Sequence, residues 1–165
     1  VCDSHSASCG ETQLAYKAAE WSEEGLPFEE ICRKLIEYRD QMNTYFVLDN
    51  LETLRKNGRL TGVKALVAST LSIKPVMGAN AGEIIQLGQA IGIKKALAKM
   101  AETVVKEAIH PEEKSLMITH CNCLERAESV KKMILEKINV KKVLIMDTRG
   151  VSSMYANDGG VIVTL

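Results

Sequence analysis

Aromatic residues are scarce in this chain: two Phe, one Trp and four Tyr among 165 residues. A core built on ring stacking is excluded, so packing must come from aliphatic side chains and seven Met. Charge of one sign is not in surplus either, because 21 Lys and Arg balance 21 Asp and Glu. With no net field, nothing draws the chain to nucleic acid or to an anionic membrane surface. No apolar run approaches the ~20 residues that span a bilayer, and no basic-then-apolar leader is present. The chain therefore reads as cytoplasmic. Neither G-x-x-x-x-G-K-[ST] nor G-x-G-x-x-G occurs, so a self-contained ATP-using enzyme is not expected, and no cofactor is implied. Cysteines stand at 2, 9, 32, 121 and 123, an odd set that suits reduced thiols better than a disulfide framework.

What is present is an ordinary globular composition, 46% apolar and 25% charged, in a length that suits one domain. Helical spacing places Leu14, Ala15, Ala18, Ala19 and Ser22 on one stripe through residues 11–23. Phe28, Ile31, Cys32, Leu35 and Met42 line a second helix after the Gly25-Leu26-Pro27 break. Tyr45–Leu48 reads as a strand. The run Asp49–Leu60 then carries a short helix that Asn57-Gly58 stops, with Arg59 just beyond the stop. Residues 63–71 form a helix apolar nearly all round, which must be buried or must cover something apolar. Ile73–Met77 and Glu83–Ala90 read as a hairpin about a 78–82 turn, with Pro75 at an edge or a bulge. A long helix follows, with Ile93, Leu97, Met100, Val104 and Ala108 inward. Ser115–Thr119, Val143–Met146 and Val161–Val163 are buried strands, and residues 124–137 are an amphipathic helix. About six strands interleaved with helices predict an α/β domain with a mixed sheet. The opening Val1-Cys2-Asp3-Ser4 reads as the end of a buried strand, so the chain is expected to be a fragment.

Four constellations invite chemistry. His120-Cys121-x-Cys123 suggests a soft metal, with Cys2, His5 and Cys9 completing a site, but Cys-x-Cys is tighter than the usual Cys-x2–4-Cys pairs. Cys9 or Cys121 beside His120 or His5 would make a thiol–imidazole dyad, with no local signature for one. Asn157-Asp158-Gly159-Gly160 can hold an anion on backbone N–H groups, or can simply be a tight turn. The abundance of Leu, Ile, Val and Met suits a slot for a long alkyl chain. Leu66, Val67, Leu71, Ile73 and Val76 are the candidate lining, or else ordinary core.

The order strand, Asp49-x-Leu51-x-x-Leu54, Asn57-Gly58-Arg59-Leu60, apolar helix, Ile73-Lys74-Pro75 resembles the DegV-like family, whose pattern here is roughly D-x-L-x-x-L-x-x-G-G-R-[IL]. The opening Val1–Ser4, Ile118-Thr119-His120 and the Gly-Glu-Ile to Lys-Lys-Ala-Leu run of residues 82–97 extend the likeness over the whole chain. The resemblance implies a two-layer domain and a fatty-acid-binding protein, some members being the lipid-presenting subunit of a bacterial fatty-acid kinase. It implies a preceding α/β domain whose Ser- and Thr-bearing loops grip the lipid carboxylate. Without those loops, weak or no binding by this chain alone is expected. It places Arg59 and Tyr155 at the carboxylate, Tyr155 standing where many members carry the histidine of a His-x-Gly-Pro-Gly turn. Ile91 stands where the family has a kinase-facing arginine. On this reading the chain is a non-catalytic, metal-free lobe for a long-chain fatty acid, which a separate ATP-dependent kinase would phosphorylate. The alternatives are a metal- or thiol-dependent hydrolase at His120, Cys121 and Cys123, and a ligand-free scaffold lobe.

Overall fold

The computed structural model describes residues 1–60 and 72–165. In chain order its elements are α1 (Cys9–Glu23), α2 (Phe28–Asp40), β1 (Thr44–Val47), α3 (Glu52–Lys56), β2 (Ile73–Asn80), β3 (Glu83–Ile91), α4 (Ile93–Glu107), β4 (Ser115–His120), α5 (Leu124–Leu135), β5 (Lys142–Asp147), α6 (Gly150–Ala156) and β6 (Val161–Thr164). The strands form one sheet in the order β3-β2-β1-β6-β4-β5. Only β4 and β5 pair in parallel; the other neighbours are antiparallel. This is the expected mixed α/β sheet. The carboxyl ends of β1, β4 and β5 consequently lie together, beside the start of β6.

Side chains alternate across a strand, so the two faces can be read off the core. Tyr45, Val47, Val76, Leu116, Ile118, Val161 and Val163 pack with Ala96, Leu97, Met100 and Val104 of α4 and with Ala127, Val130 and Ile134 of α5. Their alternates face the other way. Ser8 Oγ meets Thr119 Oγ1 at 3.0 Å, Cys9 Sγ donates to the Ile162 carbonyl, and Gln13 accepts from Thr164 Oγ1. Helix α1 therefore lies on the second face, over β4 and β6, with α2 packed against it.

Three expectations need correction. On α1 the buried residues are Cys9, Gly10, Gln13, Leu14 and Lys17, whereas Ala15, Ala19 and Ser22 are exposed. Gln13 bridges the elements, donating to Tyr38 Oη and to the Ser115 carbonyl, so a polar residue takes the inward position. Phe28, expected inward on α2, is 73% exposed; α2 packs mainly against α1 and buries no residue fully. Val1–Ser4 is coil and largely exposed, with no strand of the described sheet beside it.

The hairpin is tighter than the expected 78–82 turn. Only Ala81 and Gly82 lie between the strands, both with positive φ, 49° and 83°, the conformation of a two-residue turn matched to strand twist. Gly78 belongs to β2, where a side chain would overlap Leu87. Pro75, expected at an edge or a bulge, pairs with Gln89 in regular register; the nearby register shift leaves Leu87 of β3 unpaired, and Pro75 lies beyond the β2 residues that pair with β1. The expected apolar helix at residues 63–71 lies outside the described residues.

Candidate functional site

On the second face, Phe46, Leu48, Leu54, Met77 and Ala156 form an apolar cluster separate from the main core. Leu51, Leu60, Ile84, Cys121, Tyr155 and Ile162 pack against it half-buried. The segment after β1 builds one border. Asn50 Oδ1 accepts from the Glu52 N–H and opens α3. Gly58, at φ 68°, ends the helix as expected, with its N–H on the Arg55 carbonyl and the Arg59 N–H on the Leu54 carbonyl. Leu60 then turns into the cluster, while Arg59 is exposed. Its guanidinium has no partner among the described residues.

Helix α6 builds the other border. No element was expected at 150–156; α6 is short, and its Ser153 and Tyr155 are poor helix formers, so periodicity offers little to detect. Tyr155 sits in its last turn against the cluster. Its phenol makes no hydrogen bond among the described residues. Of the expected tail lining, Ile73 lies by alternation on the face of Met77, whereas Val76 is buried in the main core beneath α4. Leu66, Val67 and Leu71 lie outside the described residues.

A polar network that sequence reading missed joins the two borders. Asp49 Oδ2 accepts from Arg126 Nη1 at 2.5 Å, and the same nitrogen donates to the Gly159 carbonyl at 2.6 Å. Lys74 Nζ donates to the Asp49 carbonyl at 2.8 Å and stands 3.6 Å from its carboxylate. Asn157 Nδ2 donates to the Asn50 carbonyl, and Thr53 Oγ1 donates to Asn157 Oδ1. These residues come from β2, the β1–α3 loop, α3, α5 and the turn before β6. No local spacing links them, which is why a linear reading could not find them.

The turn at 157–160 is not an anion nest. The Asn157, Gly159 and Gly160 amides already donate to Ser153, Cys121 and Asn157 carbonyls. The thiol and imidazole groups are not assembled either. Cys121 packs in the second cluster and Cys123 against the main core, on opposite faces of the sheet. His120 Nδ1 accepts from the Cys123 N–H at 3.3 Å and stands 3.6 Å from Asp147 Oδ1, so neither thiol is its partner there. Burial pushes the Cys9 and Cys123 thiols up, away from the thiolate a nucleophile or metal ligand needs. Among the described residues no group of three His, Cys, Asp or Glu is placed to hold a metal. No described helix is long and apolar enough to cross a membrane.

Comparison with known proteins agrees with this architecture. A structure of a DegV family protein from Ruminococcus gnavus, refined with vaccenic acid, superposes with TM-score 0.96 at 48% identity, covering 100% of this chain and 59% of that one. The Streptococcus pneumoniae Fatty Acid Kinase (Fak) B3 protein, loaded with linoleic acid, matches with TM-score 0.86 at 27% identity over 99% of this chain and 58% of that one. A DegV domain-containing protein of Clostridium perfringens is 35% identical over 146 residues, 88% of this chain and 50% of that protein. This chain thus spans about half the length of the curated relatives it matches. A family model described as an uncharacterised protein of the DegV family matches residues 1–164, and the chain belongs to the DegV family.

Proposed function

We propose that this chain is the C-terminal lobe of a longer DegV protein and that it holds a long-chain fatty acid without performing chemistry of its own. The observation that carries this reading is the second apolar cluster, set apart from the main core and bordered by Arg59 and Tyr155. Each methylene buried in such a slot contributes about 0.8 kcal/mol, so a long tail binds without specific chemistry. The carboxylate needs only donors at the mouth. Arg59 offers a planar fork and Tyr155 a single O–H, both without partners among the described residues. Phe46, Leu48, Ile73 and Met77 serve as lining in place of Val76. The acids carried by the solved relatives support the same class of ligand.

A cytoplasmic, ATP-dependent kinase subunit is the partner that would act on the presented carboxylate. The S. pneumoniae relative's name supports that assignment. Ile91, at the end of β3, is 69% exposed, so docking there would use apolar contact in place of an arginine. Native mass spectrometry of the chain and of the full-length polypeptide, followed by denaturing lipid extraction, tests the reading. The full-length protein should carry one fatty acid, and the chain alone should take up oleic acid weakly. If neither form carries or takes up a fatty acid, the reading is wrong.

A further inference from the structure

The two borders of the apolar cluster come from distant parts of the chain, and something must hold them in register. Arg126 does so through one nitrogen, which donates both to the carboxylate of Asp49, at the root of the Arg59 segment, and to the Gly159 carbonyl, in the turn after Tyr155. Asn157 repeats the connection one step on, donating to the Asn50 carbonyl and accepting from Thr53 in α3. Arg126 and Asp49 are each about one-third exposed, 31% and 32%, so their pair is better screened from water than an open surface ion pair. Gly159 belongs to the same device. Its φ is 85°, and a side chain there would overlap both the Asp49 carboxylate and the Arg126 guanidinium. Lys74 seats Asp49 from the β2 side through its main-chain carbonyl.

From this geometry we infer that Arg126, assisted by Asn157, is a positioning residue: it clips the segment bearing Arg59 to the turn that follows Tyr155 and so sets the spacing of the two headgroup donors. The inference rests on the reading of Arg59 and Tyr155 given above. A donor pair recognises a carboxylate only when both are held at the right separation, so loosening the clip weakens headgroup recognition and leaves the apolar slot intact.

The test compares Arg126→Met, Asn157→Ala and Arg126→Lys with the native chain in two measurements. In hydrogen exchange, Arg126→Met and Asn157→Ala should speed the amides of Asn57, Gly58 and Arg59 severalfold, while the β4 amides of Leu116 to Ile118 keep native rates. In binding, affinity for oleic acid should fall about tenfold, with affinity for methyl oleate unchanged, because the ester has no carboxylate to position. Arg126→Lys should restore both, since an ammonium can also donate to the two acceptors. Native exchange in Arg126→Met overturns the inference. So does an equal loss of acid and ester binding accompanied by faster β4 exchange, which marks general loosening. If the native chain and full-length protein bind neither acid nor ester, the lipid reading fails, and the exchange rates alone decide whether the clip exists.

Discussion

Lys17 is the buried charge of α1, and its surroundings explain how a lysine can sit there. Its ammonium pairs with Glu20 at 2.5 Å and lies 5.9 Å from the centre of the Trp21 ring and 5.6 Å from that of Tyr38. The hydrogen bond from Lys17 is the main reason the Glu20 carboxyl is held below its ordinary range. A lowered carboxyl pKa means the folded state binds fewer protons than the unfolded chain. The pair's contribution, about 1 kcal/mol or less, is therefore present above the ordinary value of 4.5 and lost as pH falls through the folded-state value. Glu20→Gln should lower the unfolding midpoint at pH 7, with the gap closing in acid; a gap that persists unchanged to about pH 3 would contradict the linkage. At Arg59 the expectation is the reverse: the side chain is exposed, so Arg59→Ala should leave the unfolding free energy within about 0.5 kcal/mol of native. On the proposed function it should weaken oleic acid binding; undiminished binding would remove Arg59 from the site. Apolar periodicity alone selected Ala15, Ala19 and Ser22 for the inner stripe of α1. The structure selected Gln13 and Lys17, because burying a polar side chain becomes favourable only once Tyr38, Ser115, Thr164 and Glu20 supply partners.

At the scale of elements, the proposed function predicts that β2 separates stability from binding. Val76 and Met77 are both fully buried and adjacent, yet they belong to different clusters on opposite faces. Val76→Ala removes packing beneath α4 and should cost about 1–3 kcal/mol of stability without altering lipid affinity. Met77→Ala should reduce lipid affinity, because it opens the cluster beside Phe46 and Leu48. Calorimetric unfolding of both variants, paired with oleic acid titration, separates the roles; equal effects of the two on binding would place the slot elsewhere. The long elements were legible for a plain reason. In β4 and α4 the apolar period is sustained, and in the 44–60 segment β-rich residues meet a glycine stop. Helix α6 was not legible, since a two-turn helix is held by contacts with α3 and the cluster and not by its own propensity.

For the molecule as a whole, the order of strands decides which ends meet. Because β1 and β4 run the same way and β6 runs against both, the chain leaving β1, the chain leaving β4 and the turn entering β6 converge at one end of the sheet. Open α/β sheets commonly bind ligands beyond the carboxyl ends of their strands, and here that end carries Arg59, Tyr155 and the clip between them. The other face of the same sheet is closed by α4 and α5 over the main core. The sequence by itself determined the strand and helix alternation, the glycine stop before Arg59 and the family likeness, because each rests on local spacing. Only the tertiary structure decided which face Val76 takes, that Cys121 and Cys123 point apart, and that Asp49, Arg126 and Asn157 meet. Those outcomes depend on strand pairing between distant segments, and pairing is settled by the packing of the whole sheet.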